Sequence, residues 1–192
     1  MINIVINLDR RTDRWEYVQK EFTDNNIMPT RFPAVDTTPG WVGCRESHLQ
    51  VLEMFKDCDG FAIYEDDVKF LTSLDYIYIA MGQLPDDWDM LYLGASPKEP
   101  QERYSDNLFK VKNAHVTHAI IWHPRVGGAI DYILEHRQEI RKIDDFFATT
   151  IQPKFNCFLT YPLICTQIQT KSDTCGRSDV STIMNNYNRY CI

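Results

Sequence analysis

Apolar residues in the first part of the chain follow the spacing of a strand and then of a helix. Residues 2–8 form a run rich in β-branched side chains, which predicts a buried strand that starts almost at the first residue. Trp15, Val18 and Phe22 then recur at intervals of three and four residues, which predicts a helix with one apolar face. The same criteria predict strands at 30–35, 61–64, 90–93, 108–112, 116–122 and 155–159, and helices at 41–56, 73–83, 126–141 and 143–147.

Strands that alternate with helices in this order predict an α/β fold with a mostly parallel central sheet and helices on both faces. The length of 192 residues favours a single domain over residues 1–192. Residues 96–107 are polar and contain two prolines, which predicts a mobile loop, and about the last thirty residues predict irregular structure. Ligands of such sheets bind beyond the carboxyl ends of the strands, so polar residues at strand ends are candidates for function.

Composition excludes several classes of protein. With 20 Lys and Arg against 27 Asp and Glu the net charge is −7, and the basic residues are scattered, so nucleic acid is not an expected partner. No apolar run is long enough for a signal peptide or a transmembrane segment, which predicts a cytoplasmic protein. The six cysteines form no C-x-x-C pair and are expected to be buried free thiols, so zinc held by cysteine is not expected.

Three consecutive acids, Glu65, Asp66 and Asp67, end the predicted strand at 61–64. Such acids repel one another and are costly to bury without a partner, so a positive group is expected beside them. Alternation along a strand would point Glu65 and Asp67 to one side and Asp66 elsewhere. Oxygen ligands without His or Cys favour Mg²⁺ or Mn²⁺. The structural alternative is an acidic turn flanked by Lys69.

A series of short segments resembles, in the same order, the motifs of glycosyltransferase family 25, the lipooligosaccharide and procollagen galactosyltransferase family. The segments are INLDRRTDR at 6–14, FPAVD at 32–36, GCRESH at 43–48, IYEDDV at 63–68, DMLYLG at 89–94, THAIIWHP at 117–124, IDDFF at 143–147 and PLICTQ at 162–167, followed by SDV at 178–180. This resemblance implies a GT-A fold, a UDP-sugar donor, a manganese or magnesium ion held by the EDD segment, and transfer with inversion.

The resemblance also implies roles for individual residues. Glu65 and Asp67 would hold the metal, and Asp144 or Asp145 would act as the base that takes a proton from the acceptor hydroxyl. The donor-binding candidates are Asn7, Leu8, Arg11, Arg14, Asp66, Gln167, Ser178 and Asp179. The candidates for substrate positioning are Ser47, His48, Thr117 and His118.

Physical chemistry leaves alternatives for several of these residues. An acidic protein that binds a diphosphate needs local cations, and arginine can bind phosphate bidentately, but Arg11 and Arg14 are equally consistent with the solvated side of a helix. His48 falls on the apolar face of its predicted helix, where a buried structural histidine is the alternative. Asp144 and Asp145 are also consistent with purely structural residues at a helix start.

The predicted function is a metal-dependent inverting glycosyltransferase that moves a hexose or deoxyhexose from a UDP-sugar to a glycan or glycoprotein acceptor. The main alternative is a non-catalytic member of the same fold that binds a nucleotide sugar or a glycan. A retaining transferase, and a phosphatase or nucleotidyltransferase built on the same acidic strand end, are further alternatives.

Overall fold

The computed structural model describes residues 1–124, 128–170, 173–174 and 180–191. The strands in this part of the chain are β1 (Ile2–Asn7), β2 (Pro29–Pro33), β3 (Phe61–Glu65), β4 (Val68–Phe70), β5 (Met90–Tyr92), β6 (Ser96–Pro97), β7 (Glu102–Ser105), β8 (Leu108–Lys110), β9 (Ala114–His115), β10 (Ala119–Trp122), β11 (Cys157–Thr160) and β12 (Cys165–Gln167). The helices are α1 (Thr12–Asp24), α2 (Gly40–Phe55), α3 (Asp75–Met81), α4 (Ala129–Glu135), α5 (Ile143–Phe146), which continues as a π-helical turn over Phe147–Ile151, and α6 (Val180–Tyr190).

The described strands include an eight-stranded sheet in the order β2-β1-β3-β10-β5-β11-β8-β7. β1 pairs in parallel with β2 and β3, and β5 pairs in parallel with β11, whereas β10 is antiparallel to both β3 and β5. β8 is antiparallel to β11 and to β7. Six of these strands therefore run in one direction, and β10 and β8 run against them. This confirms the prediction of an α/β fold with a mostly parallel sheet.

The sheet separates two apolar cores because successive side chains of a strand point to opposite faces. In β3, Ile63 belongs to the same buried cluster as Leu52 of α2, while Tyr64 belongs to the other cluster, with Phe22 of α1. The rings of Phe22 and Tyr64 meet edge to face at 5.0 Å. Helices α1 and α2 are thus fixed on opposite faces of the same strand, and both approach the edge of the sheet where β3 ends.

Two predictions about irregular structure are wrong. Residues 96–107 contain β6 and β7 rather than a mobile loop, and Arg103 of β7 lies over the rings of Phe109 and Tyr161. The chain end contains β12 and α6, and α6 buries Ile183 and Tyr187 one turn apart. Both segments are rich in polar residues although they form regular strands or helices, because only one side of each packs against the rest of the protein. Helix α4 is also shorter than the predicted helix at 126–141.

Within the described residues, the helices are all too short or too polar to cross a membrane.

Candidate active site

A cavity of about 520 Å³ lies at the edge of the sheet where β1, β2 and β3 end. Helix α2 forms one side, and segments from the second half of the chain form the other. The predicted site residues that line it are Leu8, Arg14, Ser47, His48, Glu65, Asp66, Asp67, Thr117, Asp144 and Gln167. The fold thus brings together residues that are far apart in sequence, at the place where ligands of α/β sheets bind.

The acid triplet spans the end of β3 and the turn that follows it. Glu65 is the last residue of β3, Asp66 and Asp67 form the turn, and β4 begins at Val68. All three acids line the cavity, so the prediction that Asp66 faces elsewhere is wrong. Alternation of side chains holds only inside a strand, and the turn ends it after Glu65.

The buried middle acid, Asp66, is held by two donors from the first part of the chain. Arg14 donates from Nη1 to Asp66 Oδ1 at 2.7 Å, and Asn7 donates from Nδ2 to Asp66 Oδ2 at 2.7 Å. Burial raises the pKa of the Asp66 carboxyl, although the charge of Arg14 and both hydrogen bonds favour its ionised form. The positive group expected beside the triplet is therefore supplied, at least for Asp66, by Arg14.

Asp67 is buried beside other negative charge. It accepts a hydrogen bond from Gln167 Nε2 at 3.1 Å, and its Oδ2 lies 3.4 Å from Arg14 Nη1. Burial, followed by the negative charge of Glu65, raises the pKa of Asp67 to about 7. The positive charge of Arg14 therefore does not fully offset the effect of burial and of the negative charge of Glu65 on Asp67.

Glu65 is fixed by two side chains from different elements and keeps 24% side-chain exposure. Thr117 donates from Oγ1 to Glu65 Oε1 at 2.6 Å, and His48 Nε2 lies 3.3 Å from the same oxygen. Burial opposes ionisation of Glu65, but the contacts with His48 and Thr117 outweigh burial and lower its pKa. Glu65 is therefore ionised and oriented towards the cavity by residues on both sides of it.

Ser47 connects helix α2 to the segment after β2. Its Oγ donates to the carbonyl of Gly43 at 2.7 Å and accepts from the backbone N–H of Val35 at 2.9 Å. A Cβ at Gly43 would lie 2.1 Å from the carbonyl oxygen of Val35, so the helix can approach this closely only with glycine at that position. Gly43 and Ser47 thus form one packed wall of the cavity.

His118 does not line the cavity, which contradicts its predicted place in the substrate cleft. Its side chain is 0% exposed and packs under Gly94, where an added Cβ would lie 2.4 Å from His118 Nε2. Burial lowers the pKa of His118. Its neighbour Thr117 lines the cavity, as do His115 and Val116, so strand alternation does not hold at this point, where Val116 has a φ of 71°.

Four predicted donor-binding residues lie outside the cavity lining or outside the described residues. Asn7 is fully buried behind Asp66. Arg11 is turned towards Asp13 and Asp173, with its Nη1 lying 2.5 Å from Asp173 Oδ2. Ser178 and Asp179 fall outside the described residues, so their predicted roles stay predictions.

Asp144 and Asp145 follow each other in the first turn of α5, and their surroundings differ. Asp144 lines the cavity, and burial together with the charge of Asp145 raises its pKa. Asp145 is 55% exposed and lies 3.3 Å from His115 Nδ1. Of the two candidate bases, the structure brings Asp144 to the cavity and leaves Asp145 beside it, paired with a histidine.

Sequence reasoning did not single out several residues of the cavity. They are Trp41, Cys44, Lys98, His115, Lys142 and Asp173. The i, i+4 spacing of Cys44 and His48 could have identified one of them, because it places both side chains on the same face of α2. Lys98 and Asp173 come from segments whose path over the sheet has no signature in the sequence.

The residues at the strand end fit a hard divalent cation held by few protein ligands. Magnesium sites of phosphate-transferring enzymes commonly use one or two carboxylates together with substrate phosphates and water. Glu65 and Asp67 offer two such carboxylates at the cavity, and burial followed by the charge of Glu65 raises the pKa of Asp67. The described residues also include two three-residue groups whose possible ligand atoms lie within 4.8 Å of one another: Cys44 with His48 and Glu65, and His115 with Asp144 and Asp145.

The fold is similar to that of a solved glycosyltransferase, and part of the sequence is similar to that of a protein named as a putative glycosyltransferase. No protein-family model matches the chain. The chain is 26% identical over 160 residues to "Putative glycosyltransferase R655" of Acanthamoeba polyphaga mimivirus; the match covers 70% of this chain and 49% of that protein. The chain thus spans about half the length of this viral relative.

Two solved structures share the fold at low sequence identity. The crystal structure of A197 from STIV matches with a TM-score of 0.51 at 15% identity, and the match covers 88% of this chain and 87% of the A197 chain. A glycosyltransferase involved in the glycosylation of the major capsid of PBCV-1 has a TM-score of 0.50 at 11% identity, covering 82% and 80%. At this identity the likeness concerns the fold, which is of the GT-A type found in glycosyltransferases. Taken with the R655 match, it supports a glycosyltransferase-like protein at the level of the class. Membership of family 25 stays a prediction from the motifs.

Proposed function

We propose that this protein is a metal-dependent glycosyltransferase that moves a hexose or deoxyhexose from a UDP-sugar to a hydroxyl group of a glycan or glycoprotein, with inversion. The observation that carries the proposal is the meeting, in one cavity, of the acid triplet, the buried Arg14 and a separate carboxylate, Asp144. Transfer from a nucleotide sugar needs a place for a diphosphate and, across from it, a base for the acceptor. The cavity offers residues for both.

The cavity combines negative and positive side chains in a way that suits a diphosphate and a cation together. The chain as a whole carries a charge of −7, yet cationic side chains also line the cavity: Arg10, Arg14, Lys98 and Lys142. Arginine can donate two parallel hydrogen bonds to a phosphate, and lysine adds a point charge. These groups supply local attraction for an anion inside an acidic protein.

Asp144 is proposed as the base. An inverting transfer requires a carboxylate to accept the proton of the acceptor hydroxyl while its oxygen attacks the anomeric carbon. Asp144 faces the cavity and its raised pKa makes it a stronger proton acceptor than an ordinary aspartate. Asp145 and His115 lie beside it, and their charges would act on Asp144 in opposite directions.

Glu65 and Asp67 are the residues proposed to hold a manganese or magnesium ion. When bound with the donor, such an ion would neutralise the charge that builds up on the leaving diphosphate. Side chains of this protein hold both carboxylates in place: Thr117 and His48 contact Glu65, and Gln167 donates a hydrogen bond to Asp67. Arg14 adds fixed positive charge next to both aspartates of the turn.

Thermal unfolding with ligands tests donor and metal binding together. UDP with Mn²⁺ should raise the melting temperature of the whole chain more than either alone, because a ligand that binds only the folded state stabilises it by mass action. Asp67→Asn should abolish this joint shift, and Asp86→Asn, a change at an exposed carboxylate, should leave it intact. A joint shift that persists unchanged in Asp67→Asn contradicts the proposed metal position.

Turnover is tested with a panel of nucleotide sugars, scored for metal-dependent release of the nucleotide diphosphate. The panel needs no knowledge of the acceptor and identifies the sugar. Once an acceptor is found, the anomeric configuration of the product by NMR distinguishes inversion from retention. Donor binding without hydrolysis or transfer would favour the non-catalytic alternative.

A further inference from the structure

One group of side chains in the cavity has metal-binding chemistry beyond that of the acid triplet. Cys44 and His48 lie one turn apart on α2, so both point towards the end of β3, where Glu65 stands. The thiol sulfur, an imidazole nitrogen and a carboxylate oxygen of these residues all lie within 4.8 Å of one another. All three residues line the cavity, so an ion can reach them.

The distance between the imidazole and the carboxylate suits a tetrahedral ion. His48 Nε2 and Glu65 Oε1 are 3.3 Å apart. Two ligands bound to zinc at about 2.0–2.1 Å in tetrahedral geometry are separated by about 3.3–3.4 Å. His48 and Glu65 therefore need little rearrangement to share an ion, and the Cys44 sulfur lies within 4.8 Å of both.

The histidine is not fully satisfied by the described residues around it. Its side chain is 1% exposed, one ring nitrogen faces Glu65, and Nδ1 lacks a hydrogen-bond partner in the described part of the chain. A buried imidazole with an orphaned nitrogen is costly. An ion bound at Nε2 would use the lone pair of that nitrogen, so the neutral ring would carry its proton on Nδ1.

We propose that Cys44, His48 and Glu65 bind a divalent transition-metal ion of the zinc type, with a fourth coordination position open to the cavity. Sulfur, imidazole and carboxylate are ligands that zinc accepts, and sites with three protein ligands keep one position for water or substrate. Manganese and magnesium prefer oxygen ligands, so the thiol favours zinc over them. Thr117 acts as the outer partner, because its hydroxyl fixes Glu65 through a hydrogen bond of 2.6 Å.

Glu65 belongs both to this site and to the proposed manganese position. One carboxylate cannot serve both ions in the same geometry, so zinc at Cys44 and His48 should compete with manganese and donor. This consequence rests on the proposed function, whereas zinc binding itself does not.

Cobalt(II) is the probe for the site, because it replaces zinc and its absorption reports thiolate ligation and tetrahedral geometry. The whole reduced chain titrated with Co²⁺, without any donor, should develop a thiolate-to-cobalt charge-transfer band that saturates at one ion per chain and disappears on addition of Zn²⁺. Cys44→Ser should lose the band, and Cys58→Ser and Cys175→Ser should keep it. Thr117→Val should weaken cobalt affinity by about tenfold or more, as for other outer partners of metal ligands.

The result that would overturn the proposal is the absence of a thiolate band in the unaltered chain, or a band that survives in Cys44→Ser. The thermal transition of each variant establishes folding, and Cys44→Ala takes the place of Cys44→Ser if the serine variant does not fold. In a separate assay, zinc should inhibit metal-dependent donor hydrolysis, and Cys44→Ser should relieve that inhibition. Failure of hydrolysis altogether would count against the proposed function and leave the cobalt result standing.

Discussion

Arg14 Nη1 lies 2.7 Å from Asp66 Oδ1, and both side chains are buried at the edge of the sheet. This pair joins the first helix to the turn that carries the acid triplet. It gives Asp66 a structural partner and places a guanidinium next to the proposed diphosphate position. The same contact therefore has consequences for stability and for donor binding.

Removing the arginine should destabilise the fold. Arg14→Ala leaves Asp66 buried without its cation, and breaking a buried ion pair on one side typically costs about 3–5 kcal/mol. Urea denaturation should show a loss of this order in the free energy of unfolding. Arg14→Ala combined with Asp66→Asn should recover part of it, because no unpaired charge then remains.

Arg10 provides the matched control for Arg14. Its side chain is 50% exposed and forms ion pairs with Asp36 and Asp173. Exposed pairs contribute about 0–1 kcal/mol, so Arg10→Ala should change the free energy of unfolding by no more than that. Equal losses in the two variants would contradict the structural role assigned to Arg14.

Asp67 should make stability depend on pH. Its pKa in the folded protein is about 7, against an ordinary value of 3.8, so the folded state binds more protons than the unfolded state between these values. The free energy of unfolding contributed by this group therefore falls as pH rises through that interval. In Asp67→Asn the fall should be smaller, and the variant should gain on the unaltered protein above neutral pH. Chemical denaturation at several pH values in this interval measures the free energy of unfolding of both proteins, and subtracting one from the other cancels the effects of the other acids. Two parallel pH profiles would contradict a raised pKa at Asp67.

Gly43 should not tolerate a methyl group. In Gly43→Ala the new Cβ would lie 2.1 Å from the carbonyl oxygen of Val35, so the helix and the segment after β2 must separate. Overpacking of this kind costs about 1–3 kcal/mol, which outweighs the better helix propensity of alanine. Thermal unfolding should show the loss, and binding of UDP with Mn²⁺ should weaken because the cavity wall moves.

Gly82, at the end of α3, is the control for this substitution. Its backbone is right-handed helical, and an added Cβ would make an ordinary contact of 3.5 Å with the carbonyl oxygen of Tyr78. Gly82→Ala should therefore change the free energy of unfolding by no more than about 0.5 kcal/mol. If both variants lost a comparable free energy of unfolding, the close approach of Gly43 to Val35 would not be the cause of the loss in Gly43→Ala.

The two acids of α5 should differ in their effect on turnover. Asp144→Asn should lower kcat for transfer by a factor of about 10²–10⁴, the usual contribution of a general base, while the dissociation constant for UDP with Mn²⁺ stays the same. Asp145→Asn should have a clearly smaller effect, because Asp145 lies outside the cavity lining and faces His115. Initial rates combined with calorimetry separate the two effects, and the reverse order of the two variants would move the base to Asp145.

The sheet and its main helices could be predicted because their apolar spacing is regular. The apolar run at 61–64 and the three acids that follow it predicted the strand β3 and the edge of the sheet at which the cavity lies. The segments at 96–107 and near the chain end could not be predicted in the same way. Short strands such as β6 and β7 depend on partners elsewhere in the chain, and the buried face of α6 is hidden among polar residues.

Within the cavity, sequence patterns predicted single elements better than contacts between elements. Strand alternation predicts that Thr117 and His118 face opposite sides, but it also predicts that Val116 faces away from Thr117, and both Val116 and Thr117 line the cavity. Arg14 and Asp66 are 52 positions apart in the sequence, so the spacing of neighbouring residues does not predict that they form a pair. The spacing of the cysteines among themselves predicts only a buried free thiol at Cys44, whereas its place beside His48 follows from the i, i+4 spacing on α2.

Strand β10 runs against both of its neighbours, so the chain reaches the cavity just before it enters this strand rather than after leaving it. Val116 stands at that point with a φ of 71°, a conformation that costs a β-branched residue energy and that the surrounding packing must hold in place. The acid triplet reaches the cavity from the opposite direction, at the end of β3, and Thr117 joins the two segments through its hydrogen bond to Glu65. Changes in the connection that leads to His115, which precedes Thr117, can therefore remodel the outer rim while Thr117 and the acids keep their positions; under the proposed function, such changes would alter which acceptors the cavity takes.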